Sequence, residues 1–291
     1  MQRVEEQFVG LGDGAQLWTA VSGSGTPVVL CHGGPGLWDY LTDVAALLDH
    51  AHTVIRFEQR GCGRSTGRGG PFTVAQAVND LDRVRRALGI DRWGVLGHSW
   101  GAELGLRYAA EHPEQATAVA YAAGIGAGTT FREAYLAERD RRLGGELPRW
   151  RELDSRIRTP EEEREWCLLQ WRPDFSPAGD PAAHAEALWQ TRPAGVEVNA
   201  LANRQLSTEC TGDDLLALAQ DIWAPVTMLL GADDPRPWTA TDELLGHLKN
   251  ARRVVLDHAG HAPWRERPAD FQALALDALR PGRVESEPDT R

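Results

Sequence analysis

The sequence predicts an α/β fold with a mostly parallel sheet that is interrupted by a helical insertion, and three observations carry that expectation. Short β-rich runs alternate with amphipathic segments over the first 122 residues. The later runs are continuously apolar, as strands buried on both faces are. The alternation stops near residue 124 and resumes near 215.

Taken in order, the runs at 7–9, 17–21, 27–31, 53–57, 93–96 and 118–121 read as strands. Thr73, with Gln76 three residues on, forms a capping box. It opens a helix that carries Val74, Ala77, Val78, Leu81, Val84 and Leu88 at helical spacing and ends at Gly89. A second helix, rich in Ala and Leu, runs from Trp100 to Glu111 and stops before Pro113. From 124 to 214 the composition turns to Trp, Arg and Glu. Thr159-Pro160-Glu161-Glu162 starts a helix there by N-cap, first-turn proline and acidic residues at the positive end of the dipole. That helix bears Trp166, Leu168 and Leu169 and breaks at Pro173; other helical pieces lie near 131–143, 181–190 and 196–206. Strands return at 224–230 and 253–256, followed by a closing helix near 269–279. The chain thus divides into a core at 1–123 and 215–280, an insertion at 124–214 and a polar tail at 281–291 that is expected to be disordered.

A net charge of -11 argues against nucleic-acid and anionic-membrane partners, because both need clustered cations. Positive charge is almost all arginine, with Lys249 the single lysine. The acidic N-terminus lacks the apolar stretch of a signal peptide, and no run of about 18 apolar residues occurs, so a cytoplasmic protein is expected. Cys31, Cys62, Cys167 and Cys210 form no C-x-x-C pair, and they read as buried thiols rather than metal ligands or a redox pair.

The pattern G-x-S-x-G occurs twice, around Ser99 and around Ser65. A nucleophile elbow needs a buried strand running directly into a helix, so that the serine sits on a tight strained turn. Ser99 meets this condition. Ser65 is followed by Gly67, Gly69, Gly70 and Pro71, which no helix tolerates, and it reads as a loop residue. A serine hydroxyl also needs a histidine base oriented by a carboxylate. Two late strands run into Gly231-Ala232-Asp233-Asp234-Pro235 and into Asp257-His258-Ala259-Gly260-His261. Their order fits, with Asp233 or Asp234 as the acid and His258 or His261 as the base. After an early strand, the loop His32-Gly33-Gly34-Pro35-Gly36 has the glycine content that lets backbone N–H groups approach a ligand. The N–H groups of Gly34 and Trp100 are therefore expected to form the oxyanion hole. His32 and His98 read as structural.

These segments, together with Glu58-Gln59-Arg60-Gly61-Cys62-Gly63-Arg64-Ser65 and Gly260-His261-Ala262-Pro263-Trp264 with Glu266 and Pro268, resemble the proline iminopeptidase family of α/β-hydrolases. The resemblance covers roughly 200 residues in the right order. It implies an α/β-hydrolase core with a helical cap inserted after the sixth strand, the acid at Asp234 and the base at His261. The chain departs from the family at Glu58, where Asp is usual, and at His98, where Gly is usual. Family members that cleave N-terminal proline hold the substrate ammonium with cap carboxylates, commonly in an Asn-Glu context. The nearest match here is Asn203-Arg204, with the wrong sign of charge. Glu197, Glu209, Asp213 and Asp214 are the possible substitutes.

The leading expectation is a cofactor-independent, metal-free serine hydrolase acting on a small molecule or short peptide. Trp150, Trp166, Trp171 and Trp189 are expected to line an apolar pocket over Ser99 with Trp100, and Trp166, Trp189, Arg204 and Glu209 to contact substrate. The alternatives are an esterase, lactonase or tailoring hydrolase of a hydrophobic metabolite, and a non-catalytic receptor on the same fold. Neither a dinucleotide fingerprint nor a P-loop is present, which excludes those cofactor classes.

Overall fold

The computed structural model describes residues 4–127, 131–209 and 212–280. The elements, in chain order, begin with a β1 (Glu5–Gly10), β2 (Gln16–Gly23) hairpin, then β3 (Thr26–Cys31), α1 (Thr42–Leu48), β4 (His52–Phe57) and α2 (Val74–Ala87). Next come β5 (Trp93–His98), α3 (Trp100–Glu111) and β6 (Ala116–Ala122). Among the described residues, six α-helices separate β6 from the following strand: α4 (Phe131–Leu143), α5 (Leu147–Asp154), α6 (Pro160–Trp171), α7 (Pro181–Gln190), α8 (Ala200–Glu209) and α9 (Gly212–Ala219). The chain then returns to the sheet with β7 (Val226–Gly231), α10 (Asp242–His247), β8 (Ala251–Leu256), α11 (Pro263–Glu266) and α12 (Pro268–Ala278).

The sheet order is β1-β2-β4-β3-β5-β6-β7-β8, with β1-β2 and β2-β4 antiparallel and the rest parallel. Alternation along the strands sends side chains to two separate cores. Val29, Cys31, Val95, Val119, Met228 and Leu230 pack on one face with α2 and α3. Val28, Leu30, Leu96, Ala120, Ala122 and Leu229 pack on the other with α1 and α12. Each buried Val or Leu contributes about 1.5–3 kcal/mol, so both faces must be covered, and continuous apolar strands are the result. The inserted helices add a small cluster of their own, Leu143, Trp150, Leu153 and Leu169.

Several boundaries differ from expectation for local reasons. α8 begins at Ala200, not 196, because the Asn199 carboxamide oxygen accepts the N–H of Ala202 at 3.1 Å and so acts as the N-cap. Thr73 accepts the N–H of Gln76 at 3.1 Å, but the first amide of α2, Val74, donates to Glu209 Oε2 at 3.0 Å. The complete capping box belongs to α6, between Thr159 and Glu162. α1, α5, α9 and α10 are too short to stand out as periodic runs. Cys31, Cys62 and Cys167 are buried free thiols, whereas Cys210 and the expected polar tail lie outside the described residues.

Register positions the site. Cys31 pairs with Gly97, Gly97 with Tyr121, and Gly231 with Leu256, so β3, β5, β7 and β8 end at one edge of the sheet. The loops that follow them, which carry Gly34, Ser99, Asp234 and His261, leave that edge together.

Candidate active site

Ser99 sits between β5 and α3 with φ 56° and ψ −120°, a conformation that costs a non-glycine residue strain. The flanking glycines are obligatory. A Cβ at Gly97 would lie 2.0 Å from the Gly101 carbonyl oxygen, and one at Gly101 would lie 2.1 Å from that of Cys31. The turn is held by the Ser99 N–H, which donates to the Ala122 carbonyl at 3.0 Å.

His261 Nδ1 and Asp234 Oδ2 are 2.6 Å apart, and both side chains are buried. The other Asp234 oxygen accepts the backbone N–H of Arg236 at 2.9 Å and Arg236 Nη1 at 3.3 Å. Burial alone would raise the Asp234 carboxyl, but His261 and Arg236 more than offset it and hold it below its ordinary value. Ser99 and His261 line one cavity of about 1080 Å³. With Nδ1 committed to Asp234, Nε2 is the His261 atom left for a hydroxyl proton.

Gly34 lines this cavity and also a second one of about 260 Å³, to which Trp100 contributes. Trp100 is the first residue of α3, where an N–H has no intrahelical acceptor. The loop holding Gly34 is tied down from the inserted helices. Asn203 Nδ2 donates to the Pro35 carbonyl at 2.8 Å, and the Asn199 N–H to that of Gly36 at 2.8 Å.

The remaining sequence candidates separate cleanly. Trp166 and Trp171 line the large cavity. Trp189 does not; its ring packs against Trp38 and Trp171, with the Arg192 guanidinium 4.0 Å from its ring centroid. Trp150 packs in the small cluster of the insertion. Arg204 is exposed and off both cavities, and Glu209 is spent on α2. Asp233 accepts the Ser176 hydroxyl at 2.5 Å, and His258 is exposed. Ser65 is buried away from the cavity, donating to the Glu58 carbonyl at 2.6 Å. Glu58 itself pairs with Arg64 and leaves no room for a Cβ at Gly63.

His98 and His32 are built into the scaffold. His32 Nε2 accepts the Gln59 N–H at 3.1 Å. His98 Nε2 donates to the His261 carbonyl at 2.7 Å, and its Nδ1 accepts from the Tyr40 hydroxyl at 2.6 Å. Burial, reinforced by the neighbouring His261 ring, keeps His98 neutral by holding its titration well below the usual histidine range. Sequence reasoning missed Asp174, Arg236 and Tyr40, whose partners lie 58 to 87 positions away in the chain.

Residues 26–268 match the family model described as alpha/beta hydrolase fold. A probable proline iminopeptidase of Streptomyces coelicolor is 33% identical over 199 residues, 63% of this chain and 54% of that protein, so the aligned stretch spans about half the relative's length. Among solved structures, the proline iminopeptidase of Mycobacterium smegmatis is 26% identical, with a TM-score of 0.71 over 94% of this chain and 97% of that one. A proline iminopeptidase-related protein of Thermus thermophilus gives 26% and 0.71, over 95% and 98%. The chain therefore belongs to the alpha/beta hydrolase fold family and, within it, resembles the proline iminopeptidases.

Proposed function

We propose that this protein is a serine hydrolase that cleaves an amide or ester bond in a small, neutral, largely apolar acyl compound, without a cofactor. His261 Nε2 takes the Ser99 proton as Oγ bonds to the substrate carbonyl carbon, and the carbonyl π electrons move onto oxygen. The N–H groups of Gly34 and Trp100 receive that oxyanion. Collapse of the adduct breaks the bond to the leaving group, which departs with the proton from His261. Water then attacks the acyl-enzyme by the same route and restores the Ser99 hydroxyl. Asp234 holds the Nδ1–H tautomer and stabilises the imidazolium. The observation that carries this reading is the 2.6 Å bond between His261 Nδ1 and Asp234, in the cavity that Ser99 lines from a strained turn.

The preference for a neutral acyl group rests on charge. An ammonium taken out of water needs a carboxylate partner. Of the carboxylates that line the cavity, Glu163 is paired with Arg158 and Asp174 with Arg236, while Asp154 and Glu197 are exposed. Trp166, Trp171, Phe175, Leu188 and Val198 supply apolar wall. No described helix is long and apolar enough to cross a membrane, and the proposed setting is the cytoplasm.

A second reading, removal of an N-terminal proline, is favoured by what the Streptomyces and Mycobacterium proteins are called. The two are separated by kcat/KM on a matched pair of prolyl arylamides, one with a free amine and one N-blocked. The proposal expects the blocked substrate to be cleaved at least as well. A preference of about 100-fold for the free amine, nearly 3 kcal/mol of transition-state discrimination, would overturn it.

A further inference from the structure

Arg236 occupies an unusual position for a cation. It lies two residues after Asp234, lines both cavities beside Ser99, and its guanidinium lies 4.2 Å from the ring centroid of Tyr135 in α4. Its Nη1 donates to Asp234 Oδ1 at 3.3 Å and to Asp174 Oδ1 at 2.8 Å. Asp174 comes from the inserted segment, in the turn that follows α6, and its backbone carbonyl accepts the N–H of His261 at 2.7 Å. One inserted residue therefore touches the base through its backbone and the acid's cationic neighbour through its side chain. Burial opposes the Arg236 charge, but Asp174, Tyr135 and Asp234 more than restore it, so it stays protonated.

We propose that Arg236 and Asp174 are positioning residues that set the pH window in which His261 is free to act as a base. This rests on the reading of Ser99, His261 and Asp234 given above. Asp234 divides its two oxygens between His261 and Arg236. Every bit of carboxylate charge engaged by the guanidinium weakens the attraction of Asp234 for an imidazolium. Arg236 therefore pushes His261 toward its neutral, proton-accepting form, and Asp174 moderates that push by balancing Arg236. The other titratable groups around His261 are the neutral, buried His98 on the elbow and Tyr40 behind it. Glu266, the last residue of α11, accepts the Gly260 N–H; burial raises its carboxyl above the usual range. Asp233 is held by Ser176. His98, Tyr40 and Glu266 act on the Asp234–Arg236 pair through space, and Arg142 of α4 donates to the carbonyls of Pro173, Phe175 and Asp233 on either side of it.

The signature is a pair of opposite shifts. Arg236→Gln removes the cation, strengthens the Asp234–imidazolium attraction and should move the acid limb of the rate profile to higher pH. Asp174→Asn leaves Arg236 unbalanced and should move the limb to lower pH, while the backbone carbonyl that holds His261 is retained. Each shift is expected to be about 1–2 units, the size of one charge about 6–12 Å away at an effective dielectric near 20. The double substitution should return the limb close to the parent, and Arg236→Lys, which keeps the charge, should stay within about 0.3 units of it. A role confined to packing lowers the rate without moving the limb, or moves it the same way in both variants.

The experiment is the second-order rate of inactivation by a fluorophosphonate between pH 5 and 9, with far-UV circular dichroism to confirm folding. Opposite displacements in Arg236→Gln and Asp174→Asn support the inference, and if Arg236→Gln does not fold, a downward shift in Asp174→Asn with none in Arg236→Lys does so. Shifts of the same sign, or a limb that ignores both substitutions in a protein still labelled at Ser99, overturn this inference alone. A parent protein that is never labelled overturns the proposed function along with it.

Discussion

The imidazole of His98, one residue before the candidate nucleophile, donates a hydrogen bond from Nε2 to the backbone carbonyl of His261 at 2.7 Å. Its other nitrogen accepts the Tyr40 hydroxyl proton, and Tyr40 accepts the N–H of Gly33 at 2.8 Å. A single buried chain of donors and acceptors thus joins the loop of His261, the turn at Ser99 and the loop that carries Gly34. In this chain, a residue where the resembling family usually has glycine has become a structural tie.

Tyr40→Phe should cut that tie while keeping the ring packed. It leaves the Gly33 N–H and His98 Nδ1 without a partner, and each buried group left unsatisfied costs about 1–3 kcal/mol. The urea midpoint should fall accordingly and kcat should fall more than KM rises. An unchanged midpoint would show that water or a neighbour replaces the hydroxyl.

Asp234→Asn should reduce kcat by roughly 10³–10⁴, the loss expected when an acid no longer orients and stabilises its histidine. Asp233→Asn should cost far less, because Asp233 serves the Ser176 hydroxyl rather than His261. Steady-state kinetics on one aryl ester compares them, and equal losses would leave the acid unassigned.

Stability should fall as the solution is acidified below about pH 6.5, the ordinary value for histidine. Burial depresses both His98 and His32, so the unfolded chain binds protons there that the folded chain refuses. Stability from such groups is complete above the unfolded value and is lost as pH falls toward the folded one. The urea midpoint at pH 5.5 should be lower than at 7.5, and His98→Gln should shrink the difference. A difference that His98→Gln leaves intact would assign the acid sensitivity to other groups.

The parts of the molecule that were legible in the sequence are those governed by local pattern. Strands such as Val28–Leu30 and Val95–Leu96 are buried on both faces and leave continuous apolar runs. The turn around Ser99 demands glycine at 97 and 101 because backbone carbonyls sit 2.0–2.1 Å from where a Cβ would be. What was not legible depends on residues far apart in the chain. Arg236 meets Asp174 across 62 positions, and Glu209 meets the start of α2 across 135. Tryptophan spacing marks an apolar helix face without saying what it faces, which is why Trp166 reaches the cavity while Trp189 packs among other tryptophans. Arg204 stands out by resemblance at one dipeptide and Glu209 as a cap carboxylate close to it, but α8 presents Arg204 to solvent and Glu209 to α2 instead.

Fluorophosphonate labelling followed by peptide mapping decides whether Ser99 is the nucleophile. The hydroxyl of Ser65 is already committed to the Glu58 carbonyl and the Trp18 N–H, whereas Ser99 faces the cavity shared with His261. The wild-type protein and Ser65→Ala should both be labelled, with the adduct on the peptide that contains Ser99, and Ser99→Ala should take up no label. Labelling that persists in Ser99→Ala, or that maps to another residue in the wild-type protein, would contradict the account.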